Sequence, residues 1–105
     1  MPLLVPVMTA EPDTWRRYRP HPDVATEAVE EELLLVQLAQ GTAFRLNRTG
    51  KAIWEMAVTG LSAREIAEQL HTSLSVSSEQ LTRDASALLE ELSGSALLEP
   101  QSEAA

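Results

Sequence analysis

The rhythm of apolar and polar residues changes near the middle of this chain. VATEAV (24–29), LLLVQLA (33–39) and TAFRLN (42–47) are short β-prone runs. They are separated by the polar EEE (30–32) and by Gln40-Gly41, where glycine tolerates positive φ. Connections this short predict a three-stranded antiparallel meander. In the last run Thr42, Phe44 and Leu46 share one face, and Ala43, Arg45 and Asn47 share the other. Phe44 and Leu46 are therefore expected to face the core. Alternation is poor across 33–39, as it is when both faces of a strand are partly covered.

After Asn47 the pattern turns helical. Three helices are expected near 48–58, 62–71 and 77–93. Asn47 or Thr49 can cap the first. Ile53, Trp54 and Ala57 supply its buried side and Gly60 ends it, which makes Trp54 a core residue rather than a ligand stacker. Gly50, in the first turn, suits close packing against a strand. Ser62-Ala-Arg-Glu65 reads as a capping box, with Leu61 and Ile66 at the staple positions. Ser77-Ser-Glu-Gln80 opens the third helix with the same device, stapled by Val76 and Leu81. Leu81, Ala85, Leu88, Leu89 and Leu92 then form a broad apolar stripe, which Gly94 terminates. Leu97-Leu98 is a last short apolar segment before Pro100. The expected class is α+β, a small antiparallel sheet followed by three helices.

Residues 1–23 contain Pro2, Pro6, Pro12, Pro20 and Pro22, so no long helix or central strand runs through them. They read as an extended arm, pinned by Trp15 and Tyr18 and carrying a small basic cluster of Arg16, Arg17 and Arg19. The expected division is an arm over 1–23, one domain over 24–99 and a polar tail over 100–105.

Composition narrows the function. A chain of 105 residues is one domain with little surface to spare for a large internal pocket. Cysteine is absent, which excludes disulfides, iron–sulfur clusters and thiol catalysis. His21 and His71 lie in the arm and at a helix end, and no HExxH or CxxC motif is present. Glu30, Glu31 and Glu32 are adjacent in a turn, which suits solvated charge rather than two carboxylates held across a cleft. No catalytic residue, metal ligand or cofactor site is expected. MPLLVPV is too short to span a membrane and lacks a basic leader, so no membrane partner is expected and the cytoplasm is the default location.

Two binding classes remain. Residues 61–92 have helix-turn-helix grammar, and strands beside them would complete a winged helix that reads DNA. The would-be reading helix, however, carries Glu79, Asp84, Glu90 and Glu91 against Arg83, on a chain with a formal charge of -8. That balance opposes phosphate contacts. The alternative is peptide binding. A three-stranded sheet keeps an exposed edge, to which an extended peptide can add as a further strand.

LLLVQLAQGTAFRLNRTGKAIWE, the LSAREIAEQL helix and LTRDASALLEELSGSALLE together resemble the PqqD family, over roughly residues 20–99. The sharpest element is Leu46-Asn47-Arg48-Thr49-Gly50-Lys51-Ala52-Ile53-Trp54. The chain looks most like the stand-alone PqqD-like proteins of lasso peptide gene clusters. The resemblance implies a winged helix-turn-helix-like domain without catalytic residues, which recognises the leader of a ribosomally made precursor peptide. It implies that the leader adds beside the third strand and lies against the third helix. Carried onto this chain, the peptide-binding residues are Thr42, Ala43, Phe44, Arg45, Leu46 and Asn47, with Leu81, Asp84, Ala85 and Leu88. The implied partners are the precursor leader, a separate leader peptidase and a cyclase.

Overall fold

The computed structural model describes residues 14–101. Eight elements follow in order: β1 (Tyr18–Pro20), β2 (Val24–Val29), β3 (Glu32–Gln37), β4 (Thr42–Leu46), α1 (Arg48–Ala57), α2 (Ala63–Leu74), α3 (Ser78–Gly94) and β5 (Leu98–Pro100). The expected meander is present. It is antiparallel with order β2-β3-β4. Leu35 of β3 stands opposite Thr26 on one neighbour and Phe44 on the other.

Alternation in β3 is cleaner than the residue types suggest. Leu33, Leu35 and Gln37 are buried, while Leu34 and Val36 on the opposite face are half-buried. The strand ends at Gln37, two residues before the expected limit, because Gln40 and Gly41 both donate their amides to the Gln37 carbonyl and close a turn. Gly41 sits at φ 71 in that turn. The turn between β2 and β3 is also tighter than three residues. Glu30 takes φ 59, and Glu32 already pairs with Val29.

The helices lie where the sequence predicts them and differ at their ends. Asn47, one of the two caps expected for α1, is its N-cap and lies one residue beyond the end of β4; its Oδ1 accepts from the Gly50 amide at 2.9 Å. Gly50 is buried, and a Cβ there would stand 3.2 Å from the Leu46 Cβ, which explains the missing side chain. Trp54 is 4% exposed, a core residue as expected. The capping box of α2 is complete. Glu65 N donates to Ser62 Oγ at 3.3 Å, and Ser62 N donates to Glu65 Oε1 at 2.9 Å. The box expected on α3 is only half formed. Gln80 N donates to Ser77 Oγ at 3.1 Å, but the Gln80 side chain turns forward and donates to Asp84 Oδ1 at 3.0 Å. Past α3 the left-handed position falls at Ala96 (φ 63), not at Gly94, the last helical residue.

One core holds these parts together. Leu33, Leu35 and Leu46 from the sheet meet Ile53, Trp54 and Ala57 of α1, Ile66 of α2, Ala85, Leu89 and Leu92 of α3, and Leu97 and Leu98. All three helices therefore share one core with the inner face of the meander. Tyr18 joins the same cluster.

The stretch read as an arm supplies a strand. β1 pairs antiparallel with β5, with Tyr18 opposite Pro100 and Pro20 opposite Leu98. Each proline lies at the end of a two-stranded ribbon, where a missing amide donor is tolerated. Backbone bonds from His21 N to the Leu97 carbonyl and from Gln101 N to the Arg17 carbonyl extend the ladder on both sides. The basic residues here are pairing groups. Arg17 bonds Glu65, and Arg19 Nε reaches Glu99 Oε1 at 3.1 Å.

Candidate functional site

A functional surface has to be sought on the outside of this core. No group of three or more His, Cys, Asp or Glu side chains among the described residues is placed to hold a metal ion. No helix among them is long and apolar enough to cross a membrane. The sheet offers a different kind of site. β2 and β4 each pair only with β3, so among the described residues both leave one backbone edge open. The two edges differ in what lies beneath them. β2 is exposed from Ala25 to Val29 on both faces. On β4, Phe44 is half-buried and Leu46 is buried. An added strand needs both free backbone groups and a place for alternate side chains. Only β4 combines the two.

The structure sorts the ten residues expected to bind peptide into two groups. Thr42, Ala43, Arg45 and Asn47 are exposed along the β4 edge and its end. Phe44 on β4 and Leu88 on α3 are each half-buried and packed against the common core, and Asp84 is exposed one turn before Leu88. These residues remain available to a ligand. Leu46, Leu81 and Ala85 do not. Leu46 was expected to face the core and does so. Leu81 and Ala85, expected to shape the groove, are 2% and 0% exposed. The reason is helical geometry. Positions 81, 85, 89 and 92 lie on one stripe, and a core this small uses that stripe in full. Only Leu88, at its margin, has surface left over.

Electrostatics separate the two sides of the edge. Arg45, outward on β4, directs Nε to Glu32 Oε1 on β3 at 2.5 Å. Arg48 follows at the start of α1, with Glu31 Oε1 3.6 Å away. On α3, Asp84 is engaged by Gln80, and Glu91 is exposed further along. The strand side is thus mixed in sign, with Glu30, Glu31, Glu32 and Glu55 standing among Arg45, Arg48 and Lys51.

Sequence reasoning missed two polar anchors that hold this frame in place. Gln37 is buried at the end of β3. Its Nε2 donates to the Ala96 carbonyl at 2.7 Å, and its Oε1 accepts from Ala39 N at 2.8 Å, tying the β3–β4 turn to the chain beyond α3. Its place on the buried phase of β3 was the available signal. The second anchor is Arg17. Nη1 donates to Glu65 Oε1 at 2.6 Å and to the Gly60 carbonyl at 2.7 Å, and Nη2 donates to Glu65 Oε2 at 3.0 Å. These bonds from Arg17, followed by the Ser62 amide, hold the Glu65 carboxyl down to about 2. Nearby, the Arg64 guanidinium lies 5.2 Å over the Trp15 ring, and Arg64 N donates to the Thr14 carbonyl at 3.1 Å. Residues 14–17 are therefore docked on the start of α2.

Solved structures share this architecture. The fold matches the solved structure of TbiB1 in complex with the TbiA(beta) leader peptide, with TM-score 0.73 and 27% identity, covering 81% of this chain and 99% of that one. It also matches a lasso peptide synthetase B1 complexed with the leader peptide, with TM-score 0.74 and 23% identity, covering 80% of this chain and 99% of that one. No curated protein matches the sequence. Residues 32–98, from β3 to β5 and more than half of the chain, match the family model described as Coenzyme PQQ synthesis protein D (PqqD), and the chain belongs to that family.

Proposed function

We propose that this protein binds the leader region of a ribosomally made precursor peptide, without catalysis of its own, and presents it to a separate leader peptidase or another maturation enzyme of lasso peptide biosynthesis. The likeness to TbiB1, a protein solved with a leader peptide bound, carries this reading, with its 27% identity over nearly all of that chain. The geometry supplies a physical route. The leader adds as a fourth strand beside β4, and backbone pairing gives affinity with little dependence on side chains. Its inward side chains rest against Phe44 and Leu88, and its outward side chains run beside Ala43 and Arg45. Thr42 and Asn47 bound the length of the edge. A separate peptidase and a cyclase act on the presented precursor, and the role belongs in the cytoplasm, where the precursor is synthesised.

The reading of this chain as a winged-helix DNA-binding regulator gains no support. Both matched structures are of proteins in complex with a leader peptide. The exposed side of α3 carries Glu79, Asp84, Glu90 and Glu91 against Arg83, which opposes phosphate contact.

The test is calorimetric titration of the full chain with the leader of the precursor encoded beside its gene. Saturable one-to-one binding is expected. Absence of binding, with the folded state verified by its melting curve, overturns the adaptor role.

A further inference from the structure

The β4 edge carries a charge arrangement that backbone pairing alone does not use. Arg45 is outward-facing, with 69% of its side chain exposed. Its closest contact with Glu32 is through Nε. A guanidinium has five N–H donors and receives carboxylates through paired donors. Glu32 on the central strand thus holds the Arg45 side chain over the outward face of the sheet and leaves most of it exposed. Leu34, the register partner on β3, and Ala43, the preceding outward residue, offer no competing acceptor from their side chains. Further on, Arg48 and Lys51 of α1 lie among Glu30, Glu31 and Glu55, so the charge there is balanced and Arg45 is the basic group of the outward face. Elsewhere a formal charge of -8 repels an acidic ligand. One outward position on this edge therefore favours an acid, and its surroundings oppose one.

Resting on the leader-binding reading, we infer that the strand added to β4 carries an Asp or Glu on its outward face level with Arg45, and that Arg45 selects it. The leader class is then an alternating segment, apolar inward and acidic at one outward position. A basic residue at that position faces Arg45 and is rejected, so the same arrangement discriminates between leaders.

The experiment uses a messenger-RNA-displayed library of random peptides, selected on the full chain and, in parallel, on Arg45→Glu. Binders to the edge are identified by amide shifts along 42–47. Wild-type selection is expected to enrich alternating sequences with Asp or Glu at one fixed outward position, and Arg45→Glu is expected to switch that position to Lys or Arg. Replacing the selected acid by its amide should weaken wild-type binding roughly 2–5-fold, the size of an exposed cross-strand charge pair, and leave Arg45→Glu unweakened. Glu32→Gln, which releases Arg45, should tighten the acidic peptides. Arg45 is exposed and Glu32 half-buried on the outward face, and the melting curves of both variants should match wild type. Edge binders without an acidic preference, or with one that persists in Arg45→Glu, overturn the inference while leaving leader binding intact. A library that yields no binder to a folded chain removes the leader-binding reading as well.

Discussion

The two flanks of this molecule are built from the same kinds of element and end in opposite states. On the α2 flank, loose ends are closed. Ser62 and Glu65 satisfy each other's amides, Arg17 clamps Glu65 and the Gly60 carbonyl, and β1 zips onto β5. On the β4 flank the edge of the sheet is left unpaired; the similar helix start at Ser77, which lies beside Arg64 of α2, has no such long-range clamp and is only half closed because Gln80 turns to Asp84. The difference teaches where stability and recognition reside. A long-range partner converts a local capping signal into a rigid corner. Where none arrives, backbone and side-chain groups stay available to a ligand. Changes on the closed flank should alter melting and spare binding, and changes on the open flank should do the reverse.

The largest effect should come from the core beneath both flanks. Trp54→Ala should cost about 3–5 kcal/mol, as for removal of a buried aromatic side chain, read as a lower denaturant midpoint. An unchanged melting curve with lost leader binding would move Trp54 from the core to the site. Next comes Ala85→Leu. With no exposed surface at Ala85, overpacking should destabilise the fold by about 1–3 kcal/mol. If it instead weakens leader binding at unchanged stability, α3 presents Ala85 to the groove after all. A smaller contrast separates the two helix starts. Losing a cap costs about 0.5–2 kcal/mol, and Ser62→Ala should lie above Ser77→Ala within that range because Ser62 belongs to a closed box. Equal losses would mean that the Arg17 clamp adds nothing to the cap.

The smallest expected effect is a pH dependence. The folded-state value of Glu65 is depressed from 4.5 to about 2. Its contribution is therefore fully present above the unfolded value and is lost as pH falls through the folded one. Between about pH 4.5 and about pH 2, wild type should lose stability with a slope that Glu65→Gln lacks. Parallel curves would show that the clamp does not couple to folding.

Much of the fold was legible because its signals are local. Period-two runs gave the meander, and two Ser-x-x-Glu/Gln sequences placed the starts of α2 and α3. Asn47-x-x-Gly50 marked the turn from strand to helix. What escaped depends on partners distant in sequence. Nothing near Tyr18 indicates that Leu98–Pro100 pairs with it, and nothing near Arg17 points to Glu65. Buried Gln37 needs Ala96 to make sense. The site was legible to the same degree. The open edge and its outward Arg45 follow from strand order and alternation. The division of the α3 stripe into core (Leu81, Ala85) and margin (Leu88) depends on how much apolar surface the other elements need covered, which periodicity does not report.

The central claim concerns where a leader lies, and a residue-resolved measurement tests it most directly. The isotope-labelled chain should be titrated with the leader of the precursor encoded beside its gene, following backbone amides. The account predicts shifts concentrated on Thr42–Asn47 and on α3 around Asp84 and Leu88, with Trp15, Arg17 and the start of α2 unmoved. Shifts centred on Trp15 and Arg64, or none at all in a folded chain, would contradict it.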